Sequence, residues 1–182
     1  MQGTQNSAVR YTLGVMAQSA TDAVQCAGGA IYDWAAAGWD VTVYAPDIRC
    51  HRAIDIVGAQ CGEFETLLAE TSWPKVLVIT TGLHAANSKV KARAEHAVAA
   101  QTADVVFVGR DDACGDGFSR VMGSAARAFK KRAILATGAQ IDVVGPSEHF
   151  CGLATPGSDH SLSSLRVAWP DESRLKEVTS TL

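Results

Sequence analysis

The sequence lacks the features that mark several large classes of protein. Its apolar runs are short, and none approaches the eighteen or so residues that a membrane-spanning helix needs. Positive charge is not in excess, since 16 Lys and Arg face 19 Asp and Glu and give a formal net charge of −3. A nucleic-acid surface needs a clustered basic excess. We therefore expect a soluble protein that binds neither membranes nor nucleic acid.

Cysteines are few and scattered. The five lie at positions 26, 50, 61, 114 and 151, and no two of them form a CxxC pair. An odd number at wide spacing argues against a disulfide framework and predicts free thiols in a reducing compartment. Residues 1–10 are polar and lack the apolar segment of a secretory signal, so they are predicted to form a flexible tail on a cytoplasmic protein.

Residues 11–182 show an alternation of strand and helix patterns without hairpin signals. Unbroken apolar runs at Lys75–Thr80 and Val105–Val108 are typical of strands covered on both faces. Further strands are predicted at 11–17, 39–45, 60–65 and 132–137, and helices at 19–38, 49–58, 88–100 and 118–129. These patterns predict a single Rossmann-like, three-layer, doubly wound α/β domain with a mostly parallel sheet of about five to seven strands. The expected strand order is 3-2-1-4-5-6.

The C-terminal part is less regular. Residues 139–157 are predicted to form a covering loop or a short antiparallel edge, and 165–168 a last strand. Asp171 is a candidate N-cap for a final helix, with Leu175 and Val178 as its docking residues. Two basic groups, at 89–93 and at 127–132, are predicted to be solvated helix faces, and the second includes Lys130.

Two common nucleotide-binding motifs are missing. The turn at residues 17–21 lacks the glycines that let a backbone approach a pyrophosphate, which disfavours NAD and FAD. No Walker loop occurs, and the GxSxG nucleophile elbow of serine hydrolases is also absent. Gly28 and Gly29 lie inside a helical pattern, so close helix packing explains them better than phosphate contact does.

Polar side chains follow three of the predicted strands. The three groups, in chain order, are Gln18, Ser19 and Thr21; Thr80, Thr81 and His84; and Arg110. Carboxyl ends of parallel strands share one edge of a sheet, so these groups are expected to lie together. The helices that follow would offer unpaired N–H groups to an anion. The sequence therefore predicts a site for a small anionic or nucleotide-like ligand.

Three carboxylates follow the fifth predicted strand, Asp111, Asp112 and Asp116. Carboxylate oxygens suit Mg²⁺, which makes Mg²⁺ the candidate cofactor. The stretch VVFVGRDDACGDG, residues 105–117, resembles the acidic motif of the Toprim family, whose spaced aspartates follow a strand and hold Mg²⁺. That resemblance implies a Mg²⁺-dependent phosphoryl-transfer enzyme with these aspartates as metal ligands. The Glu of the Toprim pattern after the first strand is replaced here by Gln18 or Ser19.

Two classes of function remain open at this point, and with them the question of whether the chain is an enzyme. One is a ligand-binding Rossmann-like domain, and the other is a non-catalytic interaction or regulatory domain with a protein partner or a second copy of itself. The tryptophans distinguish them, because an exposed aromatic patch is typical of a protein interface. The four residues concerned are Trp34, Trp39, Trp73 and Trp169.

Overall fold

The computed structural model describes residues 11–47, 49, 51–70, 73–109, 117–140, 143–152 and 175–178. Within them the chain forms eight strands and six helices. The strands are β1 (Thr12–Met16), β2 (Asp40–Tyr44), β3 (Gln60–Gly62), β4 (Val76–Thr80), β5 (Asp104–Gly109), β6 (Gly117–Val121), β7 (Ser147–Gly152) and β8 (Leu175–Val178). The helices are α1 (Ala20–Ala36), α2 (His51–Ile56), α3 (Phe64–Ala69), α4 (Thr81–Ala86), α5 (Ser88–Ala99) and α6 (Ser124–Ala136).

The strands form one sheet in the order β3-β2-β1-β4-β5-β7-β6-β8. The first five strands of the chain pair in parallel, in the predicted order 3-2-1-4-5. β7 runs antiparallel to both β5 and β6, and β8 runs antiparallel to β6. Six of the eight strands therefore point the same way, which confirms the doubly wound, mostly parallel α/β fold.

Helices cover both faces of the sheet because buried strand residues alternate between two cores. On β5, Val106 and Val108 belong to the core that is shared with α1, α2 and α6. Val105 and Phe107 belong to the core shared with α3, α4 and α5. A strand with apolar side chains on both faces needs a helix layer on each, so the three-layer prediction is confirmed.

The prediction for residues 118–137 is only partly right: the predicted helix is present at 124–129, but its first residues and the predicted strand at 132–137 are wrong. Gly117–Val121 is a strand, where a helix was expected, and Ala133 to Leu135 lie in α6 rather than in a strand. Buried α6 residues recur at helical spacing, namely Ala126, Lys130, Ala133 and Ile134. A short apolar run such as RAILAT is compatible with either structure, and here it is the last part of a helix rich in Ala, Lys and Arg.

The C-terminal predictions also need correction. Leu175 and Val178 belong to strand β8, which pairs with β6, and not to a docked helix. The antiparallel strand within residues 139–157 is β7, which lies between β5 and β6 rather than at an edge. Residues 1–10 and 165–168 fall outside the described part of the chain. Within the described residues, no helix combines the length and the apolar character needed to span a membrane.

The prediction of five free thiols is wrong as well. Cys26 and Cys61 are free, but Cys151 is disulfide-bonded. Because one cysteine is bonded, the cysteines no longer support a reducing compartment. The cytoplasmic location stays a prediction.

Candidate functional site

The turn from β1 into α1 is held by a reciprocal set of hydrogen bonds. Ser19 caps α1, and its Oγ atom accepts a bond from the N–H of Asp22 at 3.1 Å. The Asp22 carboxylate in turn accepts a bond from the N–H of Gln18 at 2.9 Å. This is a variant of the capping box in which Asp reaches back one residue further than usual. It fixes the backbone at the carboxyl end of β1.

The start of α1 offers fewer unpaired donors than the sequence predicts. The N–H of Ala20 donates to the carbonyl of Asp47 at 3.2 Å, and that of Ala23 to the carbonyl of Ser19 at 3.0 Å. With the Asp22 N–H bound to Ser19, three donors in the first turn are used inside the protein. The Asp22 carboxylate also adds negative charge there. An anion at this edge therefore needs a positive side chain.

The loops after β1 and β4 are brought together, as the strand order predicts. The amide of Gln18 donates to the carbonyl of Gly82 at 3.1 Å, and the hydroxyl of Thr80 donates to Asp22 at 2.6 Å. Thr80 is completely buried. These hydrogen bonds join the two loops. The side chains of Gln18 and Thr80 therefore hold the carboxyl ends of β1 and β4 together.

An open cleft lies on the β2 side of this turn. Its volume is about 420 Å³, and its lining residues are Ser19, Ala20, Thr21, Asp47, Arg49 and Thr137. We call it the Arg49 cleft. Ser19 and Thr21, two of the predicted ligand-binding residues, thus line an actual cavity. The other described members of that predicted set lie elsewhere along the edge.

Among the described residues that line the Arg49 cleft, the charged ones are an exposed ion pair. The guanidinium of Arg49 donates to both carboxylate oxygens of Asp47, at 2.8 Å from Nε and 2.6 Å from Nη2. These hydrogen bonds lower the pKa of Asp47 to about 2, so the carboxylate stays ionised at neutral pH. The Arg49 side chain is 89% exposed, whereas that of Asp47 is 45% exposed. The pair holds a cation at the mouth of the cleft.

His84 and Thr81 lie over β5, away from the residues that line the cleft. The His84 ring packs edge-on against Phe107, with centroids 4.6 Å apart, and its Nε2 atom is enclosed without a hydrogen-bond partner in the described part of the chain. Burial, and then the charge of Lys91, lower the pKa of His84. Thr81 packs on Gly109, where any Cβ atom would collide with it. This close approach explains the glycine at the end of β5.

The predicted metal site cannot be placed among these groups. Arg110, Asp111, Asp112 and Asp116 all lie outside the described residues. Within the described residues, no three His, Cys, Asp or Glu side chains gather as metal ligands would. Mg²⁺ binding by the three aspartates therefore stays a prediction.

Sequence reasoning missed a buried cluster of charges between α1, α6 and the strands β6 and β7. Glu148 on β7 accepts bonds from the N–H groups of Gly29 and Ala30 on α1 and from Lys130 on α6, each at 2.8 Å. Arg120 on β6 lies 3.7 Å from Glu148 and pairs with Asp33 on α1. Glu148, Lys130 and Arg120 are 2%, 5% and 1% exposed. The prediction that Lys130 belongs to a solvated helix face is therefore wrong.

The glycine pair in α1 was the one sequence signal of this cluster. A Cβ atom on Gly28 would lie 3.1 Å from the Lys130 side chain, and one on Gly29 would lie 3.1 Å from the Glu148 carboxylate. The helix-packing interpretation of both glycines thus holds. What the sequence could not indicate is that their packing partners include the charged side chains of Lys130 and Glu148, beside Met122 at Gly29.

The tryptophans of the described chain do not form an exposed patch. Trp34 is completely buried and Trp73 is 9% exposed. Trp39 stacks on Tyr11, with ring centroids 5.1 Å apart. Trp169 lies outside the described residues. The aromatic feature that would favour a protein interface is therefore not found in this part of the chain.

Comparison with known proteins identifies relatives of the fold only. No protein-family model matches the sequence, and no curated protein matches it at a significant level. Among solved structures, the conserved protein TT1542 from Thermus thermophilus is similar, with a TM-score of 0.57 and 17% identity. The match covers 81% of this chain and 99% of that one.

Two deacetylase structures are also similar. A triple mutant of a deacetylase of the teicoplanin biosynthetic pathway has a TM-score of 0.54 and 15% identity, over 81% of this chain and 100% of that one. The A40926 pseudoaglycone deacetylase Dbv21 has a TM-score of 0.52 and 16% identity, over 92% and 95% of the two chains. At such identities the likeness concerns architecture. This chain therefore shares an α/β fold with deacetylases and with a conserved Thermus protein.

Proposed function

We propose that this chain is a ligand-binding α/β domain and that its ligand occupies the Arg49 cleft. The observation that carries the proposal is a cavity of about 420 Å³ at the carboxyl edge of the sheet that combines hydroxyl groups with an exposed guanidinium. Ligands of open α/β sheets bind beyond the carboxyl ends of the strands. The cleft lies there, beside the first two strands.

The ligand proposed is small and carries an anionic group, such as a phosphate or a carboxylate. Arg49 is the cation that would hold it. Its ion pair with Asp47 is exposed, and such pairs contribute only about 0–1 kcal/mol, so an anion exchanges with the Asp47 carboxylate at little cost. Ser19 uses its oxygen to accept a bond from Asp22 and retains its O–H to donate to the ligand.

Thermal-shift and calorimetric titrations test this proposal. Inorganic phosphate, sugar phosphates and nucleotides are the probes, because a ligand of the native state raises its melting temperature. We expect Arg49→Gln to weaken binding about tenfold, the loss of one charged hydrogen-bonding group. Arg127→Gln is the matched control, since Arg127 is exposed on α6 and does not line the cleft. If no probe binds, or if both variants bind equally, the proposal is wrong.

The same titration, repeated in the presence of Mg²⁺, tests the predicted metal site. Asp111, Asp112 and Asp116 are proposed to hold Mg²⁺ next to an anionic ligand, as the Toprim-like interpretation requires. Added Mg²⁺ should then tighten phosphate binding in the wild type but not in Asp111→Asn. Equal phosphate binding with and without Mg²⁺ would reject the metal site but not the ligand site in the Arg49 cleft.

A second candidate function is hydrolytic deacetylation. It is favoured by one observation, the fold shared with two proteins that are described as deacetylases. Acetate release from N-acetylated amines and glycopeptides, assayed with and without divalent cations, tests it directly. No release under any of these conditions would reject the enzyme and leave the binding domain. The interaction-domain alternative is tested by light scattering, which would reveal a stable homo-oligomer.

A further inference from the structure

We infer that the carboxylate of Glu148 positions the two helices whose ends form the Arg49 cleft. Glu148 does not line the cleft, but it is bonded to both α1 and α6. The first residues of α1 form one side of the cleft, and Thr137, directly after α6, forms another. A single buried side chain therefore links the two cleft walls.

On the α1 side the link is made to the backbone. Glu148 Oε1 accepts from the N–H of Gly29, and Oε2 accepts from the N–H of Ala30, both at 2.8 Å. A helix rises about 1.5 Å per residue, so these bonds lie about 14 Å along α1 from its first residue at the cleft. Two bonds to adjacent N–H groups fix both the rotation and the axial position of the helix.

On the α6 side the link is made through Lys130. Its Nζ atom lies 2.8 Å from Glu148 Oε1, and its stem passes next to Gly28, which has no side chain to obstruct it. Thr137 follows Lys130 after two further helical turns. A shift of α6 at Lys130 would therefore move Thr137 and change the width of the cleft.

This link is directional, unlike apolar packing. Apolar side chains tolerate small displacements, but buried hydrogen bonds weaken steeply once their distance and angle change. Replacing Glu148 by Gln also removes the carboxylate that Lys130 and Arg120, both buried, face in the cluster. We expect α1 and α6 to separate slightly in response.

The position of the helices is tested without any ligand. Amide resonances of Ser19, Thr21 and Thr137 are compared by NMR in the wild type, in Glu148→Gln and in Val105→Ala. Val105 is fully buried on the opposite face of the sheet, near the start of β5 and away from the carboxyl edge, so its variant controls for a general loss of stability. We expect Glu148→Gln to shift all three resonances and Val105→Ala to leave them near their wild-type positions.

Lys130→Met tests the α6 side of the link independently of the α1 side. It also replaces Glu148→Gln in the experiment if that variant does not fold. It releases α6 from Glu148 but keeps both bonds to α1. The Thr137 resonance should therefore move, while those of Ser19 and Thr21 stay. If the folded variants perturb these amides no more than Val105→Ala does, Glu148 is not a positioning residue.

The consequence for binding rests on the proposed function and is measured separately. Inorganic phosphate should bind Glu148→Gln at least fivefold more weakly than it binds Val105→Ala. Equal affinity of the two variants would contradict the positioning role. If no probe of the proposed function binds the wild type, the proposed function alone is contradicted, because the amide resonances still decide whether Glu148 positions the helices.

Discussion

The hydroxyl of Thr80 donates a hydrogen bond of 2.6 Å to the carboxylate of Asp22, which joins the end of β4 to the first turn of α1. Thr80 is completely buried, and its oxygen also accepts a bond of 3.4 Å from the N–H of Leu83. One side chain therefore caps α4 and holds the neighbouring helix α1. The bond therefore connects two neighbouring loops at the carboxyl edge of the sheet.

Thr80→Val should destabilise the protein by about 1–3 kcal/mol, because the side-chain shape is kept while the half-buried Asp22 carboxylate and the N–H of Leu83 each lose a partner. Urea unfolding measures the change in the free energy of unfolding. Thr81→Val is the control, since Thr81 is only half-buried and sits one residue away. Its effect should stay within about 0.5 kcal/mol. Equal losses in the two variants would show that the bond to Asp22 contributes nothing specific.

Gly29→Ala should destabilise the protein by about 1–3 kcal/mol through overpacking. A Cβ atom there would lie 2.8 Å from Met122 Cγ and 3.1 Å from the Glu148 carboxylate, which is held by the buried cluster. Gly28→Ala is the matched neighbour in the same helix, because its Cβ atom would meet the flexible Lys130 stem at 3.1 Å. Alanine also favours a helix by about 1 kcal/mol over glycine, so Gly28→Ala should be nearly neutral. Thermal or urea unfolding of both variants checks this order.

Stability should fall as the pH is lowered from 8 to 5, in part through His84. Burial lowers the pKa of His84, and the charge of Lys91 lowers it further, against an opposing effect of Glu95. The unfolded state therefore binds the proton first, so the stability that His84 contributes is complete above its unfolded pKa and is lost as the pH falls through the folded one.

The contribution of His84 appears as a difference between two proteins. The free energy of unfolding of His84→Gln should depend less on pH over this range than that of the wild type. Urea titrations at four pH values would show it. Parallel pH profiles would mean that other groups cause the whole effect.

Cys26 should resist alkylation in the native protein. Burial, the charge of Asp22 and a hydrogen bond to Asp22 raise the pKa of Cys26 to about 12. At pH 8 the thiolate population is then about a thousandfold below that of an ordinary cysteine, and the thiolate is the reactive form. Cys61 is the internal control, because it is also a free, half-buried thiol. Mass spectrometry after iodoacetamide treatment should find Cys61 modified first, and the reverse order would refute the prediction.

The parallel part of the sheet could be predicted because its strands can be recognised from their own residues. β4 and β5 are unbroken apolar runs, and a run with no polar alternation indicates burial on both faces. Short strands of mixed composition carry no such signal. Residues 117–121 include a glycine, a serine and an arginine, and they form a strand because β7 and β8 pair with them from later in the chain.

The candidate site was predictable in its location but not in its contacts. Strand order alone places Gln18, Ser19 and Thr80 at one edge. The sequence does not show that Thr80 and Gln18 are used to join loops or that Arg49 supplies the cation. It also does not show that Lys130 is buried, because that depends on Glu148 entering from β7, a partner eighteen residues away. Pairings of this kind depend on tertiary structure and leave no local pattern.

The position of β7 between β5 and β6 also determines the order in which this protein can fold. Both neighbours of β6 in the sheet, β7 and β8, follow it in the sequence. During synthesis the five parallel strands can therefore assemble while β6 still has no strand to pair with. An unpaired strand can form backbone hydrogen bonds with strands of other chains. The nascent chain is expected to be most prone to aggregation between the completion of β6 and the arrival of β7, which makes chaperone demand highest in that interval.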